Sequence, residues 1–325
     1  MLFSIIVPTY NPRTFLPGLL ESISHNECID EIEIIISDDC STEPFEDILQ
    51  LYNNLNIRTI TNEKHMGFPR DGRQHGAQEA KGEWICFADQ DDYFLDKAFD
   101  KVKLFIQKNN CYNYIISNFI RCDEVTRQTV LEDGTQGWTH GKFYEKVFWD
   151  KYKLGYDDVR YCEDINLSTK VGCLICAENI TPFRIEEPIY VWHAHKDSLS
   201  DDEYYLNSFP DYIKSTLGIV IEYVEKYKEI KDYQILFLQT FLHMYFYLQG
   251  PLFIGRKKLV LEIILLLIPI YERFKSIMNY TTNDILNLLS TDWSLLYAET
   301  RNNDYKQIPF TEQLTFKQWL EVYFD

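Results

Sequence analysis

Asp89, Asp91 and Asp92 crowd three carboxylates into four residues directly after the apolar run Trp84-Ile85-Cys86-Phe87-Ala88. Trp84 to Ala88 is too short for a helix and predicts a buried strand, so the acids fall at its C-terminal end, where open α/β sheets place their ligands. Two ionised carboxylates roughly 5 Å apart repel by about 3 kcal/mol at an effective dielectric of about 20, and a half-buried position tolerates that only with compensation. A divalent cation supplies such compensation. Hard ions such as Mg or Mn take oxygen ligands and share one or two carboxylates with a substrate phosphate, which points to a nucleotide. A solvated acidic turn after a strand is the alternative, and this segment alone leaves it open.

The surrounding elements must position those acids. The chain opens Met1-Leu2-Phe3-Ser4-Ile5-Ile6-Val7-Pro8-Thr9-Tyr10-Asn11, a β-branched strand stopped by Pro8, with a helical pattern starting near Arg13. A second strand, Ile32 to Ser37, ends in Asp38-Asp39-Cys40-Ser41-Thr42, and Asn56 to Ile60 reads as a third. Arg70 to Ala80 then leads through a helical segment into the carboxylate strand. The order βαβαβαβ is the signature of a mostly parallel, Rossmann-like sheet flanked by helices, with the strand-end loops side by side at one edge.

These residues resemble the inverting family 2 glycosyltransferases, which have the GT-A fold and use nucleotide-sugar donors. The resemblance runs from Ser4 to about Ser200. It is carried by Val7-Pro8-Thr9-Tyr10-Asn11, by Ser37-Asp38-Asp39-Cys40-Ser41-Thr42, and by Arg73-Gln74-His75-Gly76 with Ala80-Lys81-Gly82-Glu83. Gln74 stands where the family usually has Asn, and the spacing from Gly67 to Arg73 is one residue longer than usual. Asp89-Gln90-Asp91 matches the Asp-x-Asp motif, with Asp92 as an extra acid. Gly155 to Asp164 ends in Glu163-Asp164 at the start of a helix read over Ile165 to Val171, similar to the acceptor-side Glu-Asp element. Tyr190 to Ser200 resembles the segment that supplies a histidine near the metal. By spacing to Ser198 and Ser200, His195 is the better match and His193 the weaker.

What the resemblance implies is a metal-dependent inverting transfer from a UDP-sugar. An acceptor hydroxyl attacks the anomeric carbon opposite the departing diphosphate, so a base must stand on the acceptor side and charge must be absorbed on the leaving side. Asp164 is the expected base and Glu163 its neighbouring alternative; base catalysis is worth roughly 10² to 10⁴ in rate. Acids opening a helix also offset its dipole, by about 0.3 to 1 kcal/mol, and the two roles are compatible. By resemblance Asp91 is the direct metal ligand with His195, and Asp89 meets the ribose or the metal through water. Thr9, Tyr10 and Asp39 hold the base, Pro8 and Gln90 line the same nucleotide-sugar site, and Arg73 lies near the diphosphate or base. For Tyr10, strand-end packing is an equal reading. For Asp38, a turn role is favoured.

Composition narrows the partners. The 325-residue chain has a formal net charge of −18, which argues against nucleic acid, whose binding needs a basic surface. The chain begins on a core strand without a charged leader, and the expectation is a cytosolic protein, with the inner face of the membrane as an alternative address. Its eight cysteines fit reduced thiols in or beside apolar strands. Cys173-Leu174-Ile175-Cys176 has the spacing of a redox or zinc pair, but without a second pair it reads as a strand. Asn279-Tyr280-Thr281 matches a glycosylation acceptor that cytosolic residence makes irrelevant.

From Asp201 the pattern turns helical, and a division into a catalytic domain over 1–203 and an all-α domain over 204–325 follows. Ile213, Leu217, Val220, Ile221, Val224 and Tyr227 fall at helical spacing, Tyr233 to Leu248 continues as an aromatic-rich helix, and Arg256 to Met278 forms another, interrupted at Pro269. The run Leu259 to Tyr271 holds about a dozen apolar residues, short of the roughly 18 to 20 that span a bilayer. It reads as a core helix; a membrane-surface contact behind Arg256-Lys257-Lys258 and a homo-oligomer interface are the alternatives. The acceptor is expected to be a glycan, free or linked to lipid or protein, in bacterial surface polysaccharide or glycoprotein glycan synthesis. A sugar-nucleotide nucleotidyltransferase is a competing enzyme, although Pro8-Thr9-Tyr10-Asn11-Pro12 lacks the Gly-rich basic loop that grips a triphosphate. An idle scaffold that recruits partner enzymes is the third reading, against which Asp89, Asp91 and Asp164 stand intact.

Overall fold

The computed structural model describes residues 1–134, 137–159, 162–195, 202–227, 241–242, 244, 248, 256–275 and 316–323. Its elements in order are β1 (Phe3–Thr9), α1 (Leu16–Ser24), β2 (Ile32–Asp38), α2 (Glu46–Leu51), β3 (Asn56–Thr61), α3 (Pro69–Glu79), β4 (Trp84–Phe87), β5 (Tyr93–Phe94), α4 (Ala98–Asn109), β6 (Tyr114–Asp123), β7 (Thr129–Glu132), β8 (Lys142–Glu145), α5 (Lys146–Lys151), α6 (Glu163–Glu178), β9 (Phe183–Ala194), α7 (Asp202–Lys226), α8 (Lys257–Lys275) and α9 (Phe316–Tyr323). Contacts divide the chain into two units. One comprises Met1–Ile175 with Asn179–Leu199, and the other Cys176–Glu178 with Ser200–Asp325.

The first unit holds one sheet in the order β3-β2-β1-β4-β8-β6-β9-β5, with β7 beside β6. β1 pairs in parallel with β2 and β4, with Ile5 opposite Ile34 and Cys86, and β3 joins β2 in the same sense. Beyond β4 the direction changes, because β8 is antiparallel to both β4 and β6. Every residue of β1 and β2 is buried, which explains why both read as continuous apolar runs. Among their few polar residues, Glu33 accepts hydrogen bonds from Ser4 Oγ at 2.5 Å and from the backbone N–H of Lys81 and Gly82. Those bonds hold its carboxyl below the usual range against the opposing effect of burial.

Pro69 opens α3, where its fixed φ suits the first helical turn. Gly72 and Gly76, one turn apart, face β1: a Cβ at Gly72 would lie 3.0 Å from Pro8 Cβ, and one at Gly76 would overlap Ile6 Cγ2. Small residues at this spacing let α3 lie against the strand, which sets the depth of the neighbouring Arg73.

Two local expectations are corrected. Cys173-Leu174-Ile175-Cys176 lies within α6, not in a strand, and the helix runs from Glu163 to Glu178 rather than Ile165 to Val171. Leu167, Val171 and Leu174 form its buried stripe at helical spacing, and left-handed Asn179 ends it. The eight cysteines, all among the described residues, form no disulfide. In the second unit, α8 continues through Pro269 instead of breaking there, although proline in a helix interior forfeits a hydrogen bond. Ile263, Ile264, Leu267 and Tyr271 are buried while Leu261, Leu265 and Leu266 are exposed, so α8 is amphipathic rather than wholly internal. α7 starts at Asp202 and buries Ile213, Leu217 and Val220. The Tyr233–Leu248 reading falls mostly, and the Asn279–Thr281 site wholly, outside the described residues. No helix among the described residues is long and apolar enough to cross a membrane.

Replacing Gly76→Ala should destabilise the protein. The gain in helix propensity of about 1 kcal/mol is outweighed by overpacking of about 1 to 3 kcal/mol against a strand with no room to retreat. Urea unfolding would read this as a lower midpoint at unchanged slope; a raised midpoint would show that α3 and β1 can separate.

Candidate active site

The parallel register brings the ends of β1, β2 and β4 together. Asp39 N–H donates to Thr9 O at 2.8 Å, and Ala88 N–H to Ile6 O at 3.0 Å, so the polar segments after each strand start at one level. Thr9 is buried and its hydroxyl reaches Ser37 O at 3.4 Å. Gln90 clamps Tyr10 by two bonds, accepting its N–H at 3.0 Å and donating to its carbonyl at 3.2 Å. The Tyr10 ring, 40% exposed, lies 4.3 Å from the ring of His65 and so presents a face to solvent beside the strand ends.

Asp39 is spent on the following loop. It accepts the N–H of Met66 at 2.8 Å and of Gly67 at 2.7 Å and the amide of Asn62 at 2.8 Å, with His65 Nδ1 at 2.9 Å. Gly67 takes a φ of 81°, a left-handed backbone that glycine adopts without strain. Asp38 turns back to Ser41, a local turn as its sequence position suggested.

The acids after β4 are sorted by their surroundings. Asp89 pairs with Arg73 at 2.5 Å, and the guanidinium offsets burial to keep its carboxyl low. Asp92 is buried, accepts the Tyr190 hydroxyl at 2.5 Å and the His193 N–H at 2.8 Å, and is pushed well above the carboxylate range by burial, Asp89 and Asp91. The same Tyr190 oxygen accepts the N–H of Asp89 at 3.1 Å, tying the two acids to β9. Asp91 is left facing His195, with Oδ2 and Nε2 2.7 Å apart; its carboxyl is raised by burial and Asp89. Phe15 stacks on His195 with ring centroids 4.8 Å apart.

Two donor sets therefore converge. Asp89, Asp92 and His140 place ligand atoms within 4.8 Å of one another, but Arg73 occupies the first and Tyr190 with the His193 amide the second. Asp91, its side chain 25% exposed, stands with His195 as the second set, and a carboxylate beside an imidazole fits a hard divalent cation that shares a diphosphate.

Arg73, 4% exposed, reaches across the site to Glu163 at 2.5 Å as well as to Asp89. Glu163 and Asp164 form the first turn of α6 after left-handed Cys162, with the positive end of the helix dipole beneath them. Asp164 Oδ1 accepts the N–H of Ile165, and burial beside Glu163 pushes its carboxyl up to about 7. Sequence reading thus placed Asp89, Arg73 and Glu163 in one site but could not see that Arg73 joins them, nor that Tyr10 and Gln90 meet through the backbone.

Three contributors went unseen. Tyr190 entered only as the first residue of the histidine-bearing segment, with no role of its own. His140 is buried between Tyr190 and Trp192, and burial holds its imidazole down to about 4. Lys142 is buried on β8, donates to Ser168 Oγ at 3.0 Å, and is held down to about 8 by burial against the pull of Asp164. A lone His or Lys in a short strand gives no local signal.

This strand order with its helices is the GT-A arrangement. The chain is similar in structure to Staphylococcus aureus TarS 1–349 in complex with UDP-GlcNAc, with a TM-score of 0.67 at 17% identity over 86% of this chain and 84% of that one. Residues 4–161 match the model for glycosyl transferase family 2. An uncharacterised glycosyltransferase of Haemophilus influenzae is 27% identical over 251 residues, 72% of this chain and 81% of that protein. The Campylobacter jejuni GalNAc(5)-diNAcBac-PP-undecaprenol β-1,3-glucosyltransferase is 30% identical over 117 residues, 35% of this chain and 37% of that protein. The poly(ribitol-phosphate) β-N-acetylglucosaminyltransferase TarS is 34% identical over 112 residues, 34% of this chain and 20% of that protein. Residues 4–161 thus form a family 2 glycosyltransferase domain, and the chain is a glycosyltransferase.

Substituting Asp39→Ala should free the Asn62–Gly67 loop without unfolding the sheet. Hydrogen bonds to a charged acceptor contribute about 1.5 to 3 kcal/mol, so the Met66 and Gly67 amides should exchange with deuterium roughly tenfold faster or more. Unchanged protection would mean that the loop is held by other contacts.

Proposed function

We propose that the enzyme transfers a sugar with inversion from a UDP-sugar to a hydroxyl of a glycan acceptor. The observation that carries this reading is the pair of carboxylate stations: Asp89 and Asp91 after β4, Glu163 and Asp164 at the start of α6, spanned by one arginine. The first suits a nucleotide diphosphate. The second offers a proton acceptor.

Asp164 is the base. Glu163 is engaged by Arg73, whereas Asp164, raised to about 7, matches the proton affinity that a base at neutral pH needs. It would take the proton from the acceptor hydroxyl as the oxygen closes on the anomeric carbon. Asp91 and His195 would hold a divalent cation, Mn or Mg, which when bound neutralises charge on the departing diphosphate. Asp89 would meet the ribose, with Thr9, the Tyr10 face and Asp39 around the uracil, and Pro8 and Gln90 shaping the wall. TarS bound to UDP-GlcNAc supports uridine as the nucleotide. The relatives named for poly(ribitol-phosphate) and undecaprenol-linked substrates support surface glycan synthesis with a lipid-linked or polymer acceptor. The helical region after 203 is assigned to acceptor guidance or self-association, in a protein working at the cytoplasmic face of the membrane.

Thermal stabilisation by a panel of nucleotides and nucleotide sugars, with and without Mn, tests the donor. A ligand at 100 times its dissociation constant adds about 2.7 kcal/mol, a readable shift. A metal-dependent shift with uridine donors alone is expected, and a preference for guanosine or thymidine donors would sink the assignment. Asp91→Ala should remove the metal dependence. For the base, Asp164→Asn should lower transfer by roughly 10² to 10⁴ with UDP affinity nearly unchanged. Because its proton affinity is raised, wild-type kcat/KM should hold above pH 7 and fall tenfold per unit below it. A flat profile between pH 5 and 8 would exclude Asp164.

A further inference from the structure

Arg73 is a buried cation whose two anionic partners belong to different halves of the site. Asp89 stands after β4 on the donor side, and Glu163 opens α6 on the acceptor side, each 2.5 Å from a guanidinium nitrogen. The third nitrogen, Nε, is buried without a hydrogen-bond partner, and the Tyr156 ring lies 5.8 Å from the guanidinium carbon. The planar fork is therefore fixed by the two carboxylates, and it cannot turn towards one without loosening its hold on the other. Glu163 itself is 8% exposed, and its charge is directed at Arg73.

We propose that Glu163 is a positioning residue for the donor half: through Arg73 it sets how tightly Asp89 is held, and so links nucleotide binding to the acceptor-side carboxylates. This rests on the reading above that Asp89 meets the donor. With Glu163 ionised, the guanidinium is satisfied from both sides and Asp89 can turn an oxygen to the ribose or cation. In Glu163→Gln, which removes that charge, the whole positive charge falls on Asp89, which is then withheld from the nucleotide. Linkage is reciprocal: a donor that draws Asp89 away leaves Arg73 more firmly on Glu163. The first turn of α6, which carries Asp164, is then fixed once the donor is in place.

The test is titration calorimetry of UDP with Mn on the full chain and its Glu163→Gln, Glu163→Asp and Asp164→Asn variants. Glu163→Gln should weaken UDP binding about fivefold or more, a typical coupling between sites, while Asp164→Asn stays within about twofold. Glu163→Asp should recover part of the loss. Equal affinity in the wild type and Glu163→Gln would overturn the proposal, as would equal losses in Glu163→Gln and Asp164→Asn, which would mark a merely local disturbance.

A second measurement does not depend on the nucleotide. In urea unfolding of Asp89→Asn, Glu163→Gln and the double variant, each single change leaves Arg73 one partner, but the double leaves a buried cation with neither. Its loss should exceed the sum of the single losses, whereas additive losses would refute the bridge. If wild type fails to bind UDP, the donor assignment falls while this cycle still decides whether Arg73 couples the two sides.

Discussion

The double ion pair of Arg73 is the constraint on which the site depends. Burying a guanidinium costs several kcal/mol unless geometry and partners are excellent, and losing one partner of such a pair typically costs about 3 to 5 kcal/mol. Here the geometry is set well before the side chain. Gly72 and Gly76 let α3 lie against Pro8 and Ile6 of β1, and that depth carries Arg73 to the level where β4 releases Asp89 and α6 begins. Bulk on that helix face would lift Arg73 away from both carboxylates at once. The packing of one helix on one strand and the chemistry of the site are thus the same requirement.

A second consequence is that identical side chains come to differ. Asp89 stays ionised because a cation faces it. Asp92 is raised by burial among its neighbours and serves as an anchor for Tyr190 and the His193 amide. Asp91, opposite His195, remains partly exposed, and Asp164 is poised near neutrality. Environments that push like groups apart are how one site holds both a charge-absorbing and a proton-accepting carboxylate. Glu163 and Asp164 show this most sharply: adjacent in sequence, they are separated by which of them Arg73 takes.

The framework was legible in the sequence because its signals are local. Apolar runs ending in Thr9, Asp38 and Ala88 mark strand ends that parallel register must bring together, and Asp89, Asp91 and Asp164 follow from motifs within a few residues. What escaped depends on contacts distant in sequence. Arg73 meets Glu163 across 90 positions, and Tyr190 meets Asp92 across 98, so neither pair leaves a periodic trace. The misread Cys173–Cys176 segment is of another kind. Four apolar residues fit a strand or a buried helix equally well, and the deciding evidence was the wider 3.6-residue stripe from Leu167 to Leu174. Pro269 was read as a break on local grounds, yet the stripe from Ile263 to Tyr271 stays in phase across it, and packing of that face overrides propensity.

The position of the carboxylate strand explains why the Asp89–Asp92 loop lies beside the start of α6. β4 ends the parallel run β3-β2-β1-β4: β1 borders it on one side, and antiparallel β8 on the other. Ligands of open α/β sheets bind where strand direction or order changes, because the loops there diverge and leave a crevice. On the β1 side the crevice is walled by Tyr10, Gln90 and the Asp39 loop. On the β8 side, Lys142 docks on Ser168 of α6, one helical turn beyond Asp164, so that strand holds the acceptor helix by its first turns. The change of direction at β4 therefore sets the Asp89–Asp92 loop on one side and the start of α6 on the other, and Arg73 bridges the two.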